Sequence, residues 1–203
     1  MSIAENIRFE ELRPDLWHAV ERLFGPNGAC GGCWCMWWRA ETRNWNEVKG
    51  APAKKMFKNL IQKSKAHGML AFAGEEPVGW CSFGPRQDFP GLERVRAYKR
   101  SDISDVWSIN CFFIHRKWRG KGLVRGLLKA AIEAIRKRGV KIVEAYPATT
   151  TKDGRKLTGS LAWTGPIKIF EEQGFKTIQS TNPLKPLVRL ELKMSHQKTE
   201  ISM

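Results

Sequence analysis

The sequence has no uninterrupted apolar run near the roughly eighteen residues that a membrane span needs. Residues 1–10 (MSIAENIRFE) lack the basic start and apolar middle of a secretion signal, so a cytoplasmic protein with no membrane partner is expected. Acidic residues are scarce: 20 Asp and Glu stand against 35 Lys and Arg, for a net charge of +15. That excess favours an anionic partner, whether nucleic acid, a membrane surface or a phosphorylated small molecule, but does not choose among them. Cysteine is too sparse and too clustered for a disulfide scaffold: there are five, and Cys30, Cys33 and Cys35 crowd into one loop. Internal repeats and low-complexity blocks are absent.

What is present is a globular composition, 42% hydrophobic and 27% charged over 203 residues. The expected organisation is a single domain over residues 1–193 with a loose tail at 194–203. Ile7 to Leu12 alternates like a short strand, and Pro14 with Asp15 opens a first helix whose Leu16, Val20 and Leu23 share a face before Gly25-Pro26 stops it. Residues 27–39 (NGACGGCWCMWWR) show no amphipathic period and read as a Gly-rich loop stiffening into a Trp-rich segment. A second helix is expected at 52–65, and two strands at 69–73 and 78–83 are separated by a hairpin-like GEEP. Residues 84–104 read as a surface excursion, and 106–114 (VWSINCFFI) as a strong strand. Gly122 to Arg138 reads as a helix, with Leu123, Leu127, Leu128, Ala131 and Ile135 at spacings of three and four. A short strand at 141–146, a polar connection at 147–165, a short helix at 166–173 and strands at 175–180 and 187–192 complete the chain.

The chemistry concentrates in residues 114–128 (IHRKWRGKGLVRGLL), where an apolar strand runs through Arg119-Gly120-Lys121-Gly122 directly into an amphipathic helix. Such a junction aims unpaired backbone N–H groups, the positive end of a helix and nearby cations at one spot, and phosphate is its natural guest. Glycine allows the backbone to turn and to approach an anion closely.

This segment resembles the acetyl-CoA-binding motif of the GNAT superfamily of N-acetyltransferases, matched at Arg119, Gly122 and Val124, the last standing where a smaller residue is usual. Ile169-Phe170-Glu171-Glu172-Gln173-Gly174-Phe175 resembles the late signature of that superfamily, and the element order over residues 5–193 follows its fold. The resemblance implies an α/β fold with a mixed, mostly antiparallel sheet flanked by helices. It implies transfer of an acetyl group from acetyl-CoA to a primary amine on a small molecule or peptide. Coenzyme A carries about four negative charges, which suits the basic turn. The implied cofactor-binding residues are Phe112, Phe113, Ile114, Arg119, Gly120, Lys121, Gly122, Leu123 and Val124. The pantetheine arm would enter a gap between strands 107–114 and 141–146 as a pseudo-strand, and a backbone N–H of Asn110, Cys111 or Phe112 would polarise the thioester. The resemblance also makes a homodimer an option.

Many members place a tyrosine before the final Gly-Phe as general acid, and here that position is Phe170. The chain has only two tyrosines, Tyr98 and Tyr146. Tyr146 is the replacement acid, Asn110 a residue that can orient water or amine, and Glu144 a reserve base. Trp34, Trp37 and Trp38 are candidates for an apolar acceptor wall. Cys30, Cys33 and Cys35 offer three soft ligands, one short of a tetrahedral zinc site, and packed free thiols with no metal are expected. Arg94, Arg96, Lys99 and Arg100 read as a solvated face. The competing function is a non-catalytic scaffold that captures RNA or another polyanion.

Overall fold

The computed structural model describes residues 7–42, 44–149, 162–179 and 181–193; the expected tail at 194–203 and most of the polar connection at 147–165 lie outside them. The described strands form one seven-stranded sheet in the order β1-β2-β3-β4-β5-β7-β6. β1 (Ile7–Glu11), β2 (His67–Ala73), β3 (Glu76–Pro85) and β4 (Val106–Ile114) pair antiparallel in sequence. β5 (Ile142–Ala145) runs parallel to β4, and β7 (Leu187–Glu191) and β6 (Lys176–Gln179) extend the sheet antiparallel. The sheet is therefore mixed and mostly antiparallel. The β2–β3 turn is tight because Gly74, at φ 59°, takes its first central position.

Helices cover both faces. α1 (Trp17–Phe24), α2 (Trp45–Val48) and α3 (Ala51–Gln62) lie on one side, with Val20, Phe24, Phe57 and Ile61 buried against Leu70, Phe72 and Trp80 of the sheet. α4 (Leu123–Arg136) lies on the other and buries Leu123, Leu127, Leu128, Ala131, Ile132 and Ile135, the stripe its spacing predicted. A Cβ on Gly126 would stand 2.4 Å from Phe9 Cζ, so the missing side chain is what lets α4 settle onto β1. α5 (Ile167–Glu171) packs Phe170 against Phe112 and Phe175. Among the described residues no helix is long and apolar enough to cross a membrane.

The segment 84–104 departs from the surface excursion that its prolines and charges imply. It folds through three 3₁₀ turns, at Arg86–Asp88, Pro90–Arg94 and Arg96–Tyr98. Phe89, Leu92, Val95 and Tyr98 recur every third residue, the 3₁₀ period, and pack with Trp38, Tyr146, Trp163 and Leu187 into a third core cluster. Arg94 belongs to this construction as well as to the surface: its guanidinium donates to the carbonyls of Ala40 and Trp37 and pins the Trp-rich loop.

Candidate active site

The β4–α4 junction has the form a bound anion requires. After β4 the chain makes a 3₁₀ turn at Arg116–Trp118, and Gly120 and Gly122 adopt φ 74° and 78°. Gly122 caps α4 in the left-handed region with no side-chain hydrogen bond. The space where a Cβ of either glycine would lie is empty, so backbone conformation, not crowding, selects glycine at both positions. None of the N–H groups of Gly120, Lys121, Gly122, Leu123 or Val124 meets a backbone acceptor outside the helix among the described residues. Arg119, Lys121 and Gly122 are exposed, and Arg119 Nε donates to Ile114 O at 3.1 Å, which closes the turn. The Leu123 side chain is buried in the α4 core, leaving only its backbone to offer.

β4 and β5 pair only from Val106↔Ile142 to Ile109↔Ala145, and beyond that point they part. His115 N–H bonds Val78 O on β3. Antiparallel alternation therefore turns the N–H groups of Phe112 and Ile114 away from β3, into the gap. The Phe112 N–H is taken by Trp163 O at 2.7 Å. The Phe112 side chain packs on Phe170 and the Phe113 side chain on Phe24; Phe112 and Ile114 face the gap through their backbones, whereas the backbone of Phe113, paired with Trp80, is turned to β3. The β3–β4 register shifts between Ser82↔Cys111 and Phe83↔Ile109, leaving Asn110 as the extra residue of a bulge. Asn110 and Cys111 thus sit together between Ile109 and Phe112, which both face α4. The Asn110 side chain is buried, and its Nδ2 has no partner among the described residues.

Tyr146 and Glu144 occupy a different environment from the one expected of an acid and a base. Glu144 is fully buried; its carboxylate accepts from Arg86 Nε at 2.6 Å, Arg189 Nε at 3.1 Å and the Tyr146 hydroxyl at 2.5 Å. Tyr146 is fully buried too, its hydroxyl within 3.2 Å of Ser108 Oγ and its ring 4.5 Å from that of Tyr98. Burial, reinforced by the Glu144 charge, pushes the Tyr146 hydroxyl well above its ordinary range. Both groups are committed to an internal network beneath the gap. The residues expected as general acid and reserve base are thus bonded to each other and to Arg86 and Arg189.

Of the three tryptophans expected in an acceptor wall, the structure brings one to the gap. Trp34 packs between Trp17 and Phe24 in the α1–α3 core. Trp37 is half-exposed and meets Trp45. Trp38 lies 5.6 Å from Trp163 and 6.5 Å from Tyr146, beside the end of β5. Trp163 was missed in the sequence because it stands in a polar connection with no period to read. The loop that carries Trp38 is held in unusual backbone, with Trp34 at φ 41° and Cys35 at φ 58°, a conformation that costs about 1–2 kcal/mol per residue. It is pinned where Trp80 Nε1 donates to Cys35 Sγ at 3.2 Å. Cys35 also lies against Cys111; that hydrogen bond draws its thiol below the usual range and drives Cys111 above it. Cys30 is exposed and Cys33 half-buried, and among the described residues no group of three or more His, Cys, Asp or Glu side chains converges as a metal site.

A family model described as the acetyltransferase (GNAT) family matches residues 34–157, more than half of the chain. No curated protein of known function matches it. The PaiA N-acetyltransferase of Thermoplasma acidophilum, solved in complex with coenzyme A, is similar at 14% identity over 92% of this chain and 99% of that one, with a TM-score of 0.53. An N-acetyltransferase from Staphylococcus aureus Mu50 is similar at 13% identity over 93% and 100%, with a TM-score of 0.56. The GNAT domain of S. lividans PAT is similar at 14% identity over 92% and 90%, with a TM-score of 0.55.

Proposed function

The chain belongs to the GNAT acetyltransferase family, and from that premise we propose that it moves an acetyl group from acetyl-CoA to a primary amine in one direct step. When bound, acetyl-CoA supplies an activated acyl group on a thiolate that leaves easily. The residues present suit it. The N–H groups from Gly120 to Val124 and the positive end of α4 receive the pyrophosphate, and Arg119 and Lys121 add charge at the rim. Ile114 N–H, facing the gap between β4 and β5, would donate a main-chain bond to the pantetheine arm, and Phe112 N–H, which here donates to Trp163 O, would be a second donor on that edge. Asn110 Nδ2 in the bulge is a buried donor for an oxygen at the reacting end. Trp38 and Trp163 keep water from that end.

With Tyr146 and Glu144 engaged in their own network, the chain works by positioning: an amine that arrives neutral attacks the acyl carbon, the C–S bond breaks, and the proton lost by nitrogen passes through water to the thiolate, with no side chain among the described residues standing ready to carry it. The observation that carries this reading is the run of N–H groups without backbone acceptors at the α4 N-terminus, opening beside the β4–β5 gap. Its test is free-thiol release from acetyl-CoA with an amine panel, alongside calorimetry of coenzyme A binding. Turnover with at least one amine supports it, and a well-folded protein that binds no coenzyme A refutes it.

A further inference from the structure

Six buried side-chain nitrogen or oxygen atoms of the described residues have no nitrogen or oxygen partner: Trp38 Nε1, Arg39 Nε, Arg39 Nη2, Ser82 Oγ, which lies beside the Cys35 thiol, Asn110 Nδ2 and Thr164 Oγ1. Four are obligate donors and the other two are hydroxyls that can donate. An internal defect of packing would leave acceptors as readily as donors. A set made only of groups able to donate calls for something rich in acceptors. Its members cluster on the acceptor side of β4. Trp38 stands beside Trp163, the residue before Thr164; Ser82 pairs with Cys111, next to Asn110; and Cys35, one turn before Arg39, lies against Cys111.

Arg39 is the centre of the set. Its side chain is 3% exposed, and its guanidinium lies on the Phe89 ring at 4.4 Å. Asp88 is the nearest carboxylate, 3.9 Å from Nη1, too long for a hydrogen bond. The unpartnered atoms, Nε and Nη2, form one edge of the planar guanidinium, the edge whose parallel N–H groups match the two oxygens of a carboxylate. A cation buried with that edge empty is costly, and a protein keeps it where a ligand completes it.

We propose that the Nε/Nη2 edge of Arg39 seats a carboxylate carried by the acceptor, so that the acceptor is a free amino acid or another small amino carboxylic acid. This deepens the acetyl-transfer reading and rests on it.

The test compares common amino acids with their carboxamides as acceptors, by free-thiol release from acetyl-CoA. The corresponding N-acetyl acids and N-acetyl carboxamides are titrated into coenzyme A-loaded protein by calorimetry. The wild type is expected to favour acids about 100-fold, the worth of a charge-assisted bidentate pair. In Arg39→Met the ratio of acid to carboxamide turnover, read within the variant, falls below about 3-fold, and the melting temperature does not drop, because a buried guanidinium with an empty Nε/Nη2 edge has been replaced by an apolar chain of similar length. Thiol release with amines lacking a carboxylate but not with amino acids overturns the Arg39 assignment and leaves acetyl transfer standing, as does a preference that survives in Arg39→Met. Absence of coenzyme A binding removes both.

Discussion

The Tyr146 hydroxyl donates to Glu144 Oε1 at 2.5 Å, and Arg86 holds the same oxygen at 2.6 Å. A phenol so placed keeps its proton. Tyr146→Phe deletes one buried bond to a charged acceptor and is expected to cost about 1.5–3 kcal/mol in denaturant unfolding. Its kcat/KM profile should keep the shape of the wild type, rising with pH as the acceptor amine deprotonates and showing no descending limb from an essential acid. An altered high-pH limb would return Tyr146 to the chemistry.

Glu144 balances Arg86, whose side chain is 1% exposed, and Arg189, at 9%. Glu144→Gln leaves both guanidiniums facing a neutral group and is expected to destabilise by about 3–5 kcal/mol. The check is the unfolding midpoint in urea, with the slope unchanged. A loss under about 1 kcal/mol would show that Glu93 and Asp102 already carry the pairing.

The two tyrosines give an optical readout of the third cluster. Burial holds Tyr98 up to about 12, and Tyr146 is raised further from its ordinary range. An acid raised in the folded state stabilises that state fully below its unfolded pKa, about 10 for tyrosine, and loses the contribution as pH climbs through the folded value. Native protein should show little tyrosinate absorbance between pH 10 and 11, both tyrosines should titrate near 10 in denaturant, and the melting temperature should fall above pH 10. Normal titration in the native state would mean that the cluster is open to water.

Lys121 stands exposed at the β4–α4 turn, its Nζ 4.7 Å from the Trp118 ring. Lys121→Ala should weaken coenzyme A binding by about 2- to 5-fold at low salt, the usual worth of an exposed charge, and by less as ionic strength rises. Calorimetry at two salt concentrations checks both the size and the trend.

The fold was legible where one period ruled a segment. β4 and α4 carry strong alternating and three-four patterns, and their bounds emerge within two residues of those expected. The glycine turn between β4 and α4 was legible because strand, glycines and helix are consecutive. The cluster of buried donors was not, because its residues come from distant places: Arg39 from a loop without a period, Ser82 and Asn110 from adjacent strands, Trp38 and Thr164 from a loop and a polar connection. The 3₁₀ spacing of Phe89, Leu92, Val95 and Tyr98 was present in the sequence but masked by prolines and charges that imply solvent. The burial of Tyr146 and its bond to Glu144 were not legible either, because a strand-end tyrosine carries no sign of its partners in the sequence.

Calorimetric titration of acetyl-CoA into wild type, Gly122→Ala and Gly122→Glu tests the central claim most directly. Gly122 sits at φ 78° with open space around it, so alanine there adds only backbone strain of about 1–2 kcal/mol, whereas glutamate adds a negative charge at the helix N-terminus. Binding by wild type, binding within about 30-fold of it by Gly122→Ala, and no heat from folded Gly122→Glu are the predicted results. Unchanged affinity in folded Gly122→Glu would contradict the account, as would a wild type silent to every coenzyme A thioester yet binding RNA with steep salt dependence.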